Sequence, residues 1–232
     1  MKYLKEAYIT KVATTPAADH LLEHRDLPIL PDDQQQLLRS GVAKLLFLSI
    51  NTRPDISLPV NWLCTRIQKF DDDDLKKFNR ILLYLNGTRE LQLILKCNQD
   101  LPMIHIFADA AYGIRPIDRL SQTGVCVKLG DATIVARSGK QKLVTKSNTE
   151  AELVACSDSL VYGIIIRNIL DELSIIQKEI TIHQDNISTI NLIMNKKSSF
   201  IRTKHIDIRY YFLRDRVNND HIPQLLICPL TS

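Results

Sequence analysis

The hydrophobic period of this chain changes once, and the change falls at residues 97–102. Before that point apolar residues recur every three to four positions, and beyond it the first segment alternates. A helical period and an alternating period bury different faces, so the two halves cannot share one kind of layer. In the first half, residues 33–50, 53–67 and 73–88 carry the helical period. Pro54 suits the first turn of the second segment, where a missing N–H costs nothing. The acidic run from Asp71 to Asp74 reads as a solvated helix start, and Asn86-Gly87 as that helix's stop. The first 30 or so residues, with Pro16, Pro28 and Pro31, show little periodicity and are expected to be mostly irregular. "CNQDLP" at 97–102 reads as a linker, giving a helical region 1–97 and a second region 101–232.

The second region opens with "MIHIFADAAY", an alternating, half-buried strand. "TGVCVKLG" and "ATIVARS" are two further strands joined by a hairpin turn at Gly130-Asp131. A long helix is expected over about 148–173, with Val154, Val161, Ile165 and Ile169 on its apolar stripe. "EITIHQD" is a short strand, 186–195 and 203–217 are helices, and "IPQLLICPL" is a last strand. Hairpin-linked strands first and helical crossovers later imply an α/β (α+β) domain, with helices packed on a mixed sheet.

With 45% hydrophobic residues in 232, the chain can build a substantial core. A formal net charge of +4 does not by itself indicate nucleic-acid binding. No apolar run approaches the ~18 residues of a membrane helix, and the N-terminal "MKYLKEAYITK" lacks an apolar signal core, so secretion is not expected. The five cysteines (Cys64, Cys97, Cys126, Cys156, Cys228) never form a C-x-x-C pair and read as free thiols in a reducing compartment.

Three carboxylates fall at informative places. Asp109 shares a strand face with His105 and Phe107, beside the small residues Ala108, Ala110 and Ala111. Asp185 directly follows its strand. If the two strands are parallel neighbours, both acids project from the same end of the sheet, and such charges repel unless they share a cation. Mg²⁺, hard and oxygen-loving, is the natural candidate. Each acid also has a plainer reading: Asp109 ends its strand, and Asp185 caps the helix that starts at Asn186. In "SNTEAEL", Ser147 and Glu150 fit a capping box, in which Glu150 reaches back to the serine's own N–H. Glu150 therefore has a structural task and Glu152 has none, which assigns Glu152 to chemistry.

Strand-"ADA", helix-"TEAELVA" and strand-"QDN" resemble the ribonuclease H domain of copia-type retrotransposon polyproteins. "SINTRPDISLPVNWL", "RILLYLNGT", "DRLSQTGVCVKLG", "GKQKLVTKSNTEAELVA" and "RTKHIDIRYYFLRDRV" resemble blocks of that family in the same order, over nearly the whole chain. The resemblance implies a ribonuclease H-like mixed sheet, preceded by a helical remnant of the reverse transcriptase thumb and connection. It also implies hydrolysis of RNA in an RNA–DNA hybrid with two Mg²⁺ (or Mn²⁺) ions. Asp109 would bridge the ions, while Glu152 and Asp185 would each complete one coordination sphere. An intracellular setting, in a cytoplasmic particle or the nucleus, and contact with the remaining polyprotein parts follow from the same likeness.

The chain departs from the family in two ways. The Tyr-x-Asp-Asp polymerase signature is absent, so no polymerase activity is expected. The family's fourth acid lies beyond the last strand, where this chain stops at Ser232; cleavage is therefore expected to be weak or absent. Asp207 precedes that strand and is expected to set its helix in place. For substrate contact, Lys142 and Lys146 join Arg202, Lys204, His205 and Arg209 as a candidate phosphate-tracking surface. Ser121, Gln122 and Thr123 are candidates for the minor-groove side, where a 2′-OH reports RNA. Of Tyr210 and Tyr211, at least one is expected in the core. The rival readings are a remnant that binds hybrid or RNA without catalysis, and a transposase-like DNA nuclease.

Overall fold

The computed structural model of the chain describes residues 11–23, 27–96, 103–175, 179–194, 204–219 and 225–226. The chain divides into two compact units, Met1–Leu93 and Ile94–Ser232.

The first unit is helical. Helix α1 (Asp32–Asn51), α2 (Ser57–Thr65) and α3 (Asp72–Gly87) enclose a core of Leu38, Val42, Ile56, Val60, Trp62, Leu63, Phe70, Phe78 and Ile81. Pro54 does not open α2. It begins a separate 3₁₀ turn, Pro54–Ile56, and α2 starts one residue after that turn. The acids at the start of α3 are not solvated as the sequence suggested: Asp71, Asp73 and Asp74 are all buried. Asp71 is the N-cap, its Oδ1 accepting from the N–H of Asp73 and Asp74, and Asp74 reaches back to the Asp71 N–H. The Arg66 guanidinium meets Asp71 at 3.0 Å and Asp74 at 3.2 Å. Burial becomes tolerable because helix N–H groups and a cation receive the charge.

The second unit is a five-stranded mixed sheet in the order β3-β2-β1-β4-β5. Its strands are β1 (Ile104–Ala111), β2 (Gln122–Leu129), β3 (Ala132–Lys140), β4 (Ile180–His183) and β5 (Leu225–Leu226). The first three form an antiparallel meander, and β1, β4 and β5 run parallel. Gly130 takes the positive φ of 58° that the β2–β3 turn requires. Three helices join the sheet: α4 (Asn148–Glu172), α5 (Ile187–Met194) and α6 (Lys204–Asn219). This is the ribonuclease H-like mixed sheet expected from the sequence. Of the last predicted strand, only 225–226 lies within the described residues.

Helix α4 crosses the sheet with a different face inward from the one its β-branched residues suggested. Val154 is buried, but Val161, Ile165 and Ile169 are 45%, 50% and 55% exposed. The buried line is Leu153, Cys156, Leu160 and Gly163. Both faces of α4 are apolar, so period alone could not choose between them. Small side chains decide: a Cβ on Gly163 would stand 2.6 Å from Ile106 Cδ1 and 3.2 Å from Ile180 Cγ2. The double-sided apolarity also makes α4 long and apolar enough to cross a membrane by length and composition, contrary to the expectation that no run approaches this. Half of that window is buried in the unit.

The start of α4 carries its cap one residue off the expected register. Ser147 Oγ accepts from the Glu150 N–H at 3.2 Å, but Glu150 Oε2 accepts from the Lys146 N–H, at 2.8 Å. Ser121, Gln122 and Thr123 do not present themselves to a substrate. All three are buried; Ser121 Oγ accepts from the Gly113 N–H, Gln122 donates to Ser138, and Thr123 accepts from Gln141.

Candidate active site

The parallel register between β1 and β4 brings two acids to one end of the sheet. Phe107 lies opposite His183, and Asp109 and Asp185 each follow that pair by two residues. Strand β1 continues to Ala111, so Asp109 does not end it. Asp185 does not cap α5 either, since Asn186 Oδ1 takes the Thr189 N–H at 3.1 Å. Among the described residues, neither acid therefore plays the plainer role expected of it.

Glu152 joins them from the first turns of α4. One carboxylate oxygen from each of Asp109, Glu152 and Asp185 lies within 4.8 Å of the other two. Asp109 and Asp185 are exposed, whereas Glu152 is only 3% exposed. Burial above all, with the charges of Asp109 and Asp185, pushes the Glu152 carboxyl up to about 7, against hydrogen bonds from the Gln184 amide and the Ala110 backbone. The donor set is all carboxylate oxygen, the chemistry that suits a hard divalent cation. A proton or a cation relieves the repulsion, and the same three oxygens suit either.

Gln184 is a further neighbour of the carboxylates, one not expected from the sequence. Its buried amide donates toward Glu152 Oε2 at 3.2 Å, Ala108 O at 3.3 Å and Cys156 Sγ at 3.2 Å, and accepts from the Asn186 N–H at 2.9 Å. Burial also pushes the Cys156 thiol up to about 12, so it stays protonated and inert. The only signal in the sequence was a long polar side chain wedged between an apolar strand and Asp185.

The basic residues fall in two places. Lys142 and Lys146 are exposed in the β3–α4 connection, and Lys204 and His205 are exposed on the first turn of α6. Arg209 is partly committed elsewhere, to Asp158 of α4 at 3.3 Å. Arg202 lies outside the described residues. Tyr210 is buried and Tyr211 exposed, so one of the pair is core, as expected. Asp207 is half-buried on α6, and among the described residues it is not part of the carboxylate group.

No protein-family model matches the chain. The retrovirus-related Pol polyprotein from transposon TNT 1-94 of Nicotiana tabacum is 30% identical over 223 residues, 94% of this chain and 16% of that polyprotein. The corresponding polyprotein from transposon RE1 of Arabidopsis thaliana is 35% identical over 182 residues, 78% of this chain and 12% of its own length. The chain thus spans less than a fifth of the length of either polyprotein. Among solved structures, the foamy viral protease-reverse transcriptase in complex with RNA/DNA hybrid aligns with 99% of this chain and 27% of its own, at a TM-score of 0.56 and 12% identity. In sequence the chain is homologous to one segment of the Pol polyproteins of copia-type retrotransposons, and its second unit has a ribonuclease H-like fold.

Proposed function

We propose that Asp109, Glu152 and Asp185 form a ribonuclease H-type site that hydrolyses the RNA strand of an RNA–DNA hybrid with divalent ions, Mg²⁺ or Mn²⁺. The observation that carries this reading is the convergence of the three carboxylates within 4.8 Å, from a strand, a helix and a strand end. Oxygen-only donors suit hard divalent ions, so the residues fit the group the family implies. Asp109 would be shared between two ions, with Glu152 and Asp185 each on one. When bound, such an ion pair supplies an activated water and charge stabilisation at the leaving 3′ oxygen. The protein's own part is to hold three oxygens in place and keep Glu152 in a buried, poorly solvated position. Lys142, Lys146, Lys204 and His205, with Arg202 and Arg209, would track the hybrid's phosphates. On this reading 1–97 is a helical remnant of the reverse transcriptase thumb and connection, 101–232 is the ribonuclease H domain, and the setting is intracellular beside other polyprotein parts.

A second reading, binding of hybrid without turnover, is favoured by one observation: among the described residues the carboxylate group has three members. With fewer oxygens, a second ion is held less firmly, and the leaving oxygen is less stabilised. The test is cleavage of a labelled RNA–DNA hybrid in Mg²⁺ and then Mn²⁺, with Asp109→Asn alongside and duplex DNA as a second substrate. The expected result is slow metal-dependent cleavage of hybrid, at least about 100-fold lower in Asp109→Asn. Hybrid bound but uncut by folded chain establishes the binding reading, and preferential cutting of duplex DNA establishes a DNA nuclease.

A further inference from the structure

We infer that Gln184 is a positioning residue for the carboxylate site, one side chain that fixes all three acids relative to one another; this rests on the proposed metal-binding reading of that site. The three acids sit on separate elements: the β1–β4 register sets the two strand acids side by side, and the Ala110 backbone N–H reaches Glu152. Gln184 touches all three supports. It is the residue before Asp185, and its Oε1 takes the N–H of Asn186, the residue after it, at 2.9 Å. Asp185 is thus held in a short turn closed by the Gln184 side chain.

On the other side of the amide, Nε2 reaches Glu152 Oε2 at 3.2 Å and Ala108 O, next to Asp109, at 3.3 Å. Two N–H bonds face three acceptors there, and the Cys156 sulfur, at 3.2 Å, is the weakest of them. The strong pair is therefore the Glu152 carboxylate and the β1 carbonyl. The amide orientation follows from chemistry: the Asn186 N–H demands the oxygen, while the carboxylate and carbonyl demand the nitrogen. At 1% exposure, Gln184 has little access to water as a substitute partner. Groups that orient metal-binding carboxylates in this way commonly matter ~10–100-fold in metal affinity.

The experiment is Mn²⁺ binding to the whole chain, followed by electron paramagnetic resonance, in a double-mutant cycle of Gln184→Met and Glu152→Gln. Methionine keeps the length and volume and removes the amide. Gln184→Met is expected to weaken Mn²⁺ binding about 10–100-fold while circular dichroism stays unchanged. In the Glu152→Gln background the same substitution should cost clearly less, because the route through the Glu152 carboxylate is gone while those through Ala108 and the Asp185 turn remain. A merely structural glutamine would give equal losses in both backgrounds, and that result overturns the inference, as does unchanged affinity in folded Gln184→Met. Should Gln184→Met fail to fold, Gln184→Asn, too short to reach Glu152, takes its place in the cycle; failure of both to fold also overturns the inference, since the fold as a whole would then need the residue. Asp109→Asn separates the two claims. If it leaves Mn²⁺ affinity unchanged, the metal-site reading itself is wrong; if it abolishes binding while Gln184→Met does not, only the role of Gln184 is wrong.

Discussion

At the scale of the residue, the chain spends stability to bury charge, and two acids show how. Glu152 in the folded, metal-free chain holds its proton up to about pH 7, well above the ordinary glutamate value of 4.5. The folded state therefore binds a proton that the unfolded state releases. Its contribution to stability is fully present below about pH 4.5 and is lost as pH rises through 7. With chelator present, Glu152→Gln should make the chain more stable than the parent at pH 8 by about 1–3 kcal/mol, and nearly equal to it at pH 4. Urea unfolding at both values measures this, and an equal effect at both would show that Glu152 carries no charge strain. Saturating Mg²⁺ should reverse the advantage at pH 8, since it stabilises only a chain that keeps the carboxylate. Asp71 makes the opposite case, a buried acid that is satisfied. Its Oδ1 caps α3 and its Oδ2 meets Arg66. Asp71→Ala loses both interactions and should cost about 2 kcal/mol. Asp71→Asn keeps the cap and should cost about half as much or less, read from unfolding followed by tryptophan emission.

At the scale of the element, the orientation of α4 decides what the sheet can carry. Leu160 is buried against the sheet and Ile165 is half exposed, although the sequence pattern favoured Ile165 as core. Leu160→Ala should cost about 2–4 kcal/mol, while Ile165→Ala should stay within about 0.5 kcal/mol. Denaturant midpoints of the two variants would settle which face packs. The contrast also marks where the sequence stops being readable. The β1 alternation, the hairpin at Gly130 and the places of Asp109 and Asp185 beside small or polar residues are local signals, whereas the parallel pairing of β1 with β4 stood in the sequence only as a condition, which the sheet meets. Three features depended on partners outside their own elements. Asp71 and Asp74 are buried because Arg66 reaches them across the α2–α3 turn. Ser121, Gln122 and Thr123 are enclosed by Gly113, Ser138 and Gln141. Gln184 matters because α4 brings Glu152 to it. The side of α4 that faces inward was illegible for another reason: apolar residues cover both sides, and the choice rests on small residues, which pattern scales hardly weigh.

At the scale of the whole molecule, two cores with no residue in common give two reporters. The chain has one tryptophan, Trp62, and it is buried in the core of the first unit. Its emission therefore follows the unfolding of the helices around it and not of the sheet. The second unit holds the carboxylates and its own core, built on Ile104, Ile106, Leu153, Leu160 and Ile180. Gly163→Val is the substitution that separates them. A branched side chain there enters the space held by Ile106 and Ile180, both fully buried, and overpacking of this kind costs about 1–3 kcal/mol. It should lower the midpoint of the sheet unit, followed by far-ultraviolet circular dichroism, and should lower Mn²⁺ affinity with it, because α4 carries Glu152. The Trp62 midpoint should move by much less. If Trp62 emission instead shifts in step with the dichroism, the two cores unfold as one cooperative body, and damage to the sheet is felt by helices that contribute nothing to the carboxylate site.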